Sequence, residues 1–207
     1  MQLILKGMAL GFMLTIMVGP ILISIVQTSI ENGWKSGLRV ACGIWLSDFL
    51  FITACYFGAK QVIEITEWSG FELTVGIVGG IILAGFGVGL LLKRTTEQEL
   101  EEQVEELHLD RFTAWLRGFL INTINPFTVL FWITISLTIV GKEAQTFNAA
   151  ATFYFSLMGV VMFGDAFKVF LAHKIRPWLT PKHIKWIRTV SGIAFILFGI
   201  VMVVRVI

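Results

Sequence analysis

The chain is 207 residues long, 56% of them hydrophobic and only 14% charged. Soluble domains carry closer to a quarter charged residues, so these proportions do not fit a water-soluble globule and instead fit segments that meet lipid, as do seven Trp and eighteen Phe. A net charge of +2 gives no basic surface of the kind nucleic acid requires, and nucleic acid is not an expected partner.

In chain order, charges cluster and are separated by deserts. None falls between Lys6 and Glu31, Glu72 and Lys93, Arg117 and Lys142, or Glu143 and Asp165. Each desert reaches the roughly 20 residues that cross a bilayer core. Two further apolar stretches, Leu38 to Phe57 with Asp48 well inside it and Thr189 to Val204, complete the set. The backbone must satisfy itself in hydrocarbon, so all six are expected as helices, over 3–29, 38–58, 72–92, 113–140, 147–171 and 187–206. The first of them is too long for a signal-peptide core and lacks an A-x-A-type cleavage site, so it reads as a retained membrane helix.

Basic residues give a direction. Eleven fall in the first, third and fifth connections: Lys35 and Arg39; Lys93, Arg94, Arg111 and Arg117; Lys174, Arg176, Lys182, Lys185 and Arg188. Four fall on the other side: Lys6, Lys60, Lys142 and Arg205. Both termini are therefore expected outside the cytoplasm. The long third connection, 93–112, carries a run of glutamates from Glu97 to Glu106, with Thr96 and Glu99 spaced as a capping box. It reads as an acidic cytoplasmic linker, either solvated or holding a short surface helix. His108, His173 and His183 are all assigned to cytoplasmic loops.

The second half echoes the first. Gly11-Phe12-Met13-Leu14 leads to Gly19-Pro20, and Gly118-Phe119-Leu120-Ile121 leads to Asn125-Pro126. Gly43 precedes Asp48, and Gly159 precedes Asp165. Val78-Gly79-Gly80-Ile81 aligns with Val190-Ser191-Gly192-Ile193, and Phe86-Gly87 with Phe198-Gly199. Three spans per half is an odd number, so consecutive halves cross the membrane in opposite directions. The expected fold is an all-α membrane protein of six transmembrane helices in two inverted three-helix repeats, 1–92 and 113–207. Such repeats are a signature of secondary transporters, with the substrate site near mid-membrane.

Pro20 and Pro126 each remove a backbone donor inside a span. The preceding Gly19 and Asn125 tolerate an unwound backbone, and the resulting helix ends can bind ions or a zwitterion. A packing kink is the competing reading. Asp48 and Asp165 are the acidic residues well inside spans, where a carboxylate is costly unless it is paired, protonated or facing a cavity. Either acid could exchange a proton or hold a substrate ammonium, although Lys168, three residues after Asp165, offers that acid a structural partner. Thr15, Ser24, Gln27, Asn122 and Thr128 add polar groups around the breaks, and Asn122 with Asn125 could bond a substrate or another helix. No metal-ligand cluster, phosphate loop or nucleophile motif occurs, and neither a cofactor nor an enzymatic activity is expected. Cys42 and Cys55, on one expected helix, would stand roughly 20 Å apart, beyond disulfide reach.

Several of these residues together resemble the LysE/RhtB family of amino-acid exporters: Gly11-Phe12 with Val18-Gly19-Pro20, Gly33-Trp34-Lys35-Ser36-Gly37-Leu38, the stretch from Gly43 to Asp48, and Gly118-Phe119-Leu120 with Asn125-Pro126 and Phe131-Trp132. The resemblance covers nearly the whole chain. It implies a multi-pass bacterial inner-membrane protein that moves an amino acid or derivative outward, driven by an ion or proton gradient. A homodimer is an admissible assembly. Gly19-Pro20 and Asn125-Pro126 match the two helix motifs, and Asp48 matches an acidic position of the second helix. Val18 stands where the motif usually has proline, and Phe127 where it often has a basic residue that would help bind a carboxylate. Electron carriers of the wider superfamily use cysteines on separate helices, unlike Cys42 and Cys55. Export of a non-amino-acid solute and a non-catalytic accessory subunit are the alternatives.

Overall fold

The computed structural model describes residues 1–17, 19–58, 70–92, 110–140, 144 and 146–206. Most of the acidic linker, with Thr96, Glu99 and His108, lies outside the described residues, as do Val18, Lys60 and Lys142. Every regular element among the described residues is helical.

Helix α1 spans Gln2–Ile16 and α2 spans Pro20–Phe57. The backbone is extended at Met17, with ψ 129°, and at Gly19, with φ −170° and ψ −173°. Pro20 has no N–H for the carbonyl one turn back, so the first helix cannot run through it. Helix α2 is itself broken at Gly33, whose φ of 79° and ψ of 169° lie in a region that side chains forbid. Gly37 rests against Ser29 with no room for a Cβ. A straight helix would hold two residues eight apart at about 12 Å, so the arms 20–32 and 34–57 fold back on each other. The expected connection between spans 3–29 and 38–58 is thus a one-residue reversal, because a single glycine supplies the whole turn.

Helix α3 spans Phe71–Leu92, α4 Arg111–Thr123 and α5 Pro126–Ile135, the last running into a π-helical turn, Ser136–Val140. Helices α4 and α5 meet at a bend of 64°. Asn125 caps α5, its Oδ1 accepting from the Phe127 N–H at 3.1 Å. Helix α6 spans Phe147–Ile175 and α7 spans Pro181–Val204, the latter opened by a capping box between Thr180 and His183. His173 therefore lies inside α6 and His183 in the first turn of α7, not in loops. By length and composition α2, α6 with its 3₁₀ extension Arg176–Trp178, and α7 can each cross a bilayer, and the bent α4–α5 pair makes a fourth candidate. Gln2–Ile16 and Gly76–Leu92 are shorter apolar helices.

The helices pair closely: α1 on α6, α4 on α2, and α3 on α7. Small residues set these approaches. A Cβ on Gly7 or Gly11 would stand 2.6 Å from the carbonyl oxygen of Phe153 or Leu157 respectively. Helices α3 and α7 meet antiparallel through two glycine pairs. A Cβ on Gly80 would lie 2.7 Å from the Gly199 oxygen, and one on Gly87 2.5 Å from the Gly192 oxygen. A core of Trp132, Phe153 and Leu157 joins α5 to α6. Phe155, Phe163, Phe170, Leu197 and Ile200 face outward, while Gln27, Asp48, Asn122 and Asp165 are buried. That arrangement reverses the pattern of a water-soluble protein and suits a lipid surround.

Replacing Gly33 by Ala forces a side chain into a backbone region that costs about 1–3 kcal/mol. The G33A protein is expected to lose that much stability. A lower midpoint of helix loss in denaturant titration in detergent micelles, followed by circular dichroism, is the measurement.

Candidate functional site

Asp48 lies on the second arm of α2 and is 6% exposed. Two neutral donors hold it. Asn122 Nδ2, at the end of α4, donates to Asp48 Oδ1 at 2.8 Å, and Trp132 Nε1, on α5, donates to the same oxygen at 2.8 Å. Asn122 is held in turn. Its Nδ2 lies 3.2 Å from the Ile44 carbonyl, and its Oδ1 accepts from Thr128 Oγ1 at 3.1 Å. No cation among the described residues pairs with Asp48. A buried carboxylate with neutral donors and no counter-charge is one that can accept a proton or an ammonium group.

Asp165, on α6, is 2% exposed and differently provided for. Lys168 Nζ lies 2.9 Å from its Oδ1, and Trp45 Nε1 donates to its Oδ2 at 3.0 Å. Both oxygens are thus engaged, one in an ion pair. The two acids sit in different electrostatic surroundings.

A cavity of about 550 Å³ brings most of the candidate residues together. Asp48, Asp165, Asn122, Asn125, Gly19 and Pro20 all contribute to its wall, and its far end reaches Phe71 and Arg205, at the start of α3 and just past the end of α7. Gly19 gives α2 no side-chain cap. The first N–H groups of α2, at Ile21 and Leu22 beside the cavity, therefore form a helix N-terminus suited to an anion. At the second break Asn125 spends its side-chain oxygen on capping α5 while also facing the cavity. Pro126 starts α5 and so sets the position of that break.

Thr15 lies elsewhere. Its Oγ1 donates to the Gly11 carbonyl at 2.8 Å and the residue packs against Gly164, next to Asp165, so it supports the α1–α6 contact without lining the cavity. Cys42 is exposed and Cys55 buried, and both are free. Sequence reasoning missed the two indoles. Trp132 and Trp45 each carried only a place in a motif resemblance, since no local spacing tells an interfacial Trp from one that donates to a buried acid. It assigned Arg117 and Arg188 to connections, but both are buried in helices, where Arg117 meets Gln27 at 2.8 Å and Arg188 meets Glu31 at 3.0 Å.

The sequence matches the model of the LysE type translocator family over residues 12–205. It is 23% identical to YcgF of Bacillus subtilis, named as an amino acid efflux protein, over 96% of this chain and 94% of that one. It is 24% identical to the threonine efflux protein of Escherichia coli K12 over 90% of each chain. It is also 27% identical to the Escherichia coli membrane protein YahN, over 74% of this chain and 66% of the relative. No solved structure matches it. A family match spanning nearly the whole sequence, on a helical fold whose polar groups gather at two helix breaks, makes this chain a member of the LysE type translocator family.

Proposed function

We propose that the chain is a secondary exporter of an amino acid or closely related solute across the bacterial inner membrane, coupled to an ion or proton gradient. One observation carries this reading: Asp48, an acid without an ion pair among the described residues, lies in the wall of a cavity where both helix breaks meet. The cavity volume suits a small ligand. It offers a zwitterion two complementary ends, the Asp48 carboxylate for an ammonium group and the uncapped α2 N-terminus for a carboxylate. Proton uptake by Asp48 would weaken its hold on the ammonium and so link release to the gradient. The names of YcgF and the threonine efflux protein support an amino-acid substrate.

The reading takes the chain across the membrane six times, with α1 and the first arm of α2 as one broken crossing and α4 with α5 as another. Both termini then face outward, and 1–92 and 113–207 are inverted repeats. The glycine contacts support this symmetry. Gly80 is the counterpart of Gly192 in the repeat, and Gly87 of Gly199, yet Gly80 meets Gly199 and Gly87 meets Gly192. Such exchanged pairing is what a two-fold axis between equivalent antiparallel helices produces. Likewise α1 packs on α6 while its counterpart α4 packs on the second arm of α2.

The test is flux from proteoliposomes loaded with the twenty proteinogenic amino acids under an imposed pH gradient, with released species identified by mass spectrometry. Gradient-dependent release of one class is expected. Release no greater than from empty liposomes, with folded protein present, would refute the reading. Asp48→Asn keeps an oxygen for Asn122 and Trp132 to bond but cannot take up the proton. It is expected to fold and to reduce gradient-driven flux to the empty-liposome level.

Asp165 is predicted to behave otherwise. Lys168→Met leaves its buried charge without a partner and should cost about 3 kcal/mol of stability. Adding Asp165→Asn to that variant should recover most of the loss. Unfolding midpoints of the two single variants and the double variant form the cycle that measures this coupling.

A further inference from the structure

The first arm of α2 carries a buried polar stripe that the cavity does not use. Ser24, Gln27, Thr28 and Glu31 stand at positions i, i+3, i+4 and i+7, so they share a helix face. The same face begins with Pro20 and Ile21, which line the cavity. The stripe therefore runs on from the cavity along the same helix, over about 15 Å from Ile21 to Glu31, without itself lining the cavity. At its far end Glu31 Oε1 meets Arg188 Nε of α7 at 3.0 Å, closing α2 against α7.

Midway along it stands Arg117 of α4, nine-tenths buried at 9% exposure. Its Nη2 donates to the neutral Gln27 Oε1 at 2.8 Å. Its guanidinium carbon lies 6.0 Å from the Phe86 ring centre and 5.9 Å from that of Phe195. Among the described residues no carboxylate comes within ion-pair distance of it; the Glu31 carboxylate is near enough to attract it but is bonded to Arg188. Arg117 Nε is buried with no hydrogen-bond partner, and so are Ser24 Oγ and Thr28 Oγ1 on the stripe. A buried guanidinium is tolerated when an anion matches its fork of donors, and two apolar rings with one amide oxygen do not supply one. Buried polar groups normally have partners, so three without one, close together on α2 and α4, call for a further group to bond them.

We propose that Arg117, with Ser24 and Thr28, is a second binding station on the transport route that takes the carboxylate of the exported solute before it reaches Asp48. It rests on the exporter reading and adds a site on the far side of the cavity from Arg205. The Gln27 amide holds the guanidinium in place while the station is empty. Parting of Glu31 from Arg188 admits the solute to it. The carboxylate then replaces Gln27 on the guanidinium, and the hydroxyls of Ser24 and Thr28 donate to its oxygens.

The experiment uses the full-length protein in proteoliposomes. The amino acid released fastest from the twenty-component mixture is loaded alone over a range of concentrations, beside its methyl ester, which keeps the amine and lacks the anion. Arg117→Gln is expected to raise the half-saturating concentration of the amino acid about tenfold or more, the worth of a charged hydrogen bond, with little change in maximal rate. Flux of the methyl ester should be the same in both proteins. Gln27→Glu is the second variant. It places a carboxylate on Arg117 from within, so it should fold at least as stably as wild type and still raise the half-saturating concentration. An unchanged half-saturating concentration in either variant, or an equal loss for the methyl ester, overturns the station and leaves the exporter reading standing. A wild-type protein that releases no amino acid overturns both.

Discussion

One carboxylate oxygen holds the centre of this molecule together. Asp48 Oδ1 receives Asn122 from the end of α4 and Trp132 from α5, so a single atom on α2 binds both limbs of a helix pair bent by 64°. At the bend the regular ladder is rerouted: the Asn125 N–H turns to the Asn122 carbonyl at 3.2 Å and the Phe127 N–H to the Asn125 side chain at 3.1 Å. In a low-dielectric interior such a break persists only where side chains or a cavity satisfy it. Here Asn125 caps the second limb, Thr128 orients Asn122, and Asn122 reaches the acid and the Ile44 carbonyl. The acid needs the bend to bring two donors onto one oxygen, and the bend needs the acid to anchor its two limbs. Neither feature is stable as an isolated choice, which is why they occur together.

Much of this plan is legible in the sequence, for a physical reason. Proline acts through its own missing N–H and its own ring, so Pro20 and Pro126 announce helix breaks without knowledge of the rest of the fold. Buried acids announce themselves equally well, because a charge in an apolar run is costly wherever the run packs. What the acids do is set by partners far away in the chain. Asp165 is paired by Lys168, three residues on, and that much could be read locally. Its bond to Trp45 spans 120 positions, and the bond of Asp48 to Trp132 spans 84. Indoles enrich at membrane interfaces for reasons unrelated to such bonds, so no pattern marks these two as donors. Gly33 entered only as part of a motif, and its role as the turn stayed hidden for another reason. A turn of one residue leaves the flanking helical periodicity almost intact, and basic residues at Lys35 and Arg39 suggested a longer loop than the chain needs.

The polarity of the interior is also unevenly distributed, and the unevenness is informative. Around Asp48 and Asp165 nearly every donor and acceptor is matched, as a rigid site requires. Along the first arm of α2 the matching fails at Ser24 and Thr28, and at Arg117 opposite. Hydrophobic replacements at these positions would remove the cost of burying unpaired groups and would often stabilise a helix bundle. A chain that keeps them instead keeps a defined line of unmet hydrogen bonds, on the same helix face that walls the cavity. The matched cluster and the unmatched line are joined end to end at Pro20, where α2 begins uncapped. A solute moving along that face would exchange one set of polar partners for another in short steps, at no point leaving its charged ends wholly without partners.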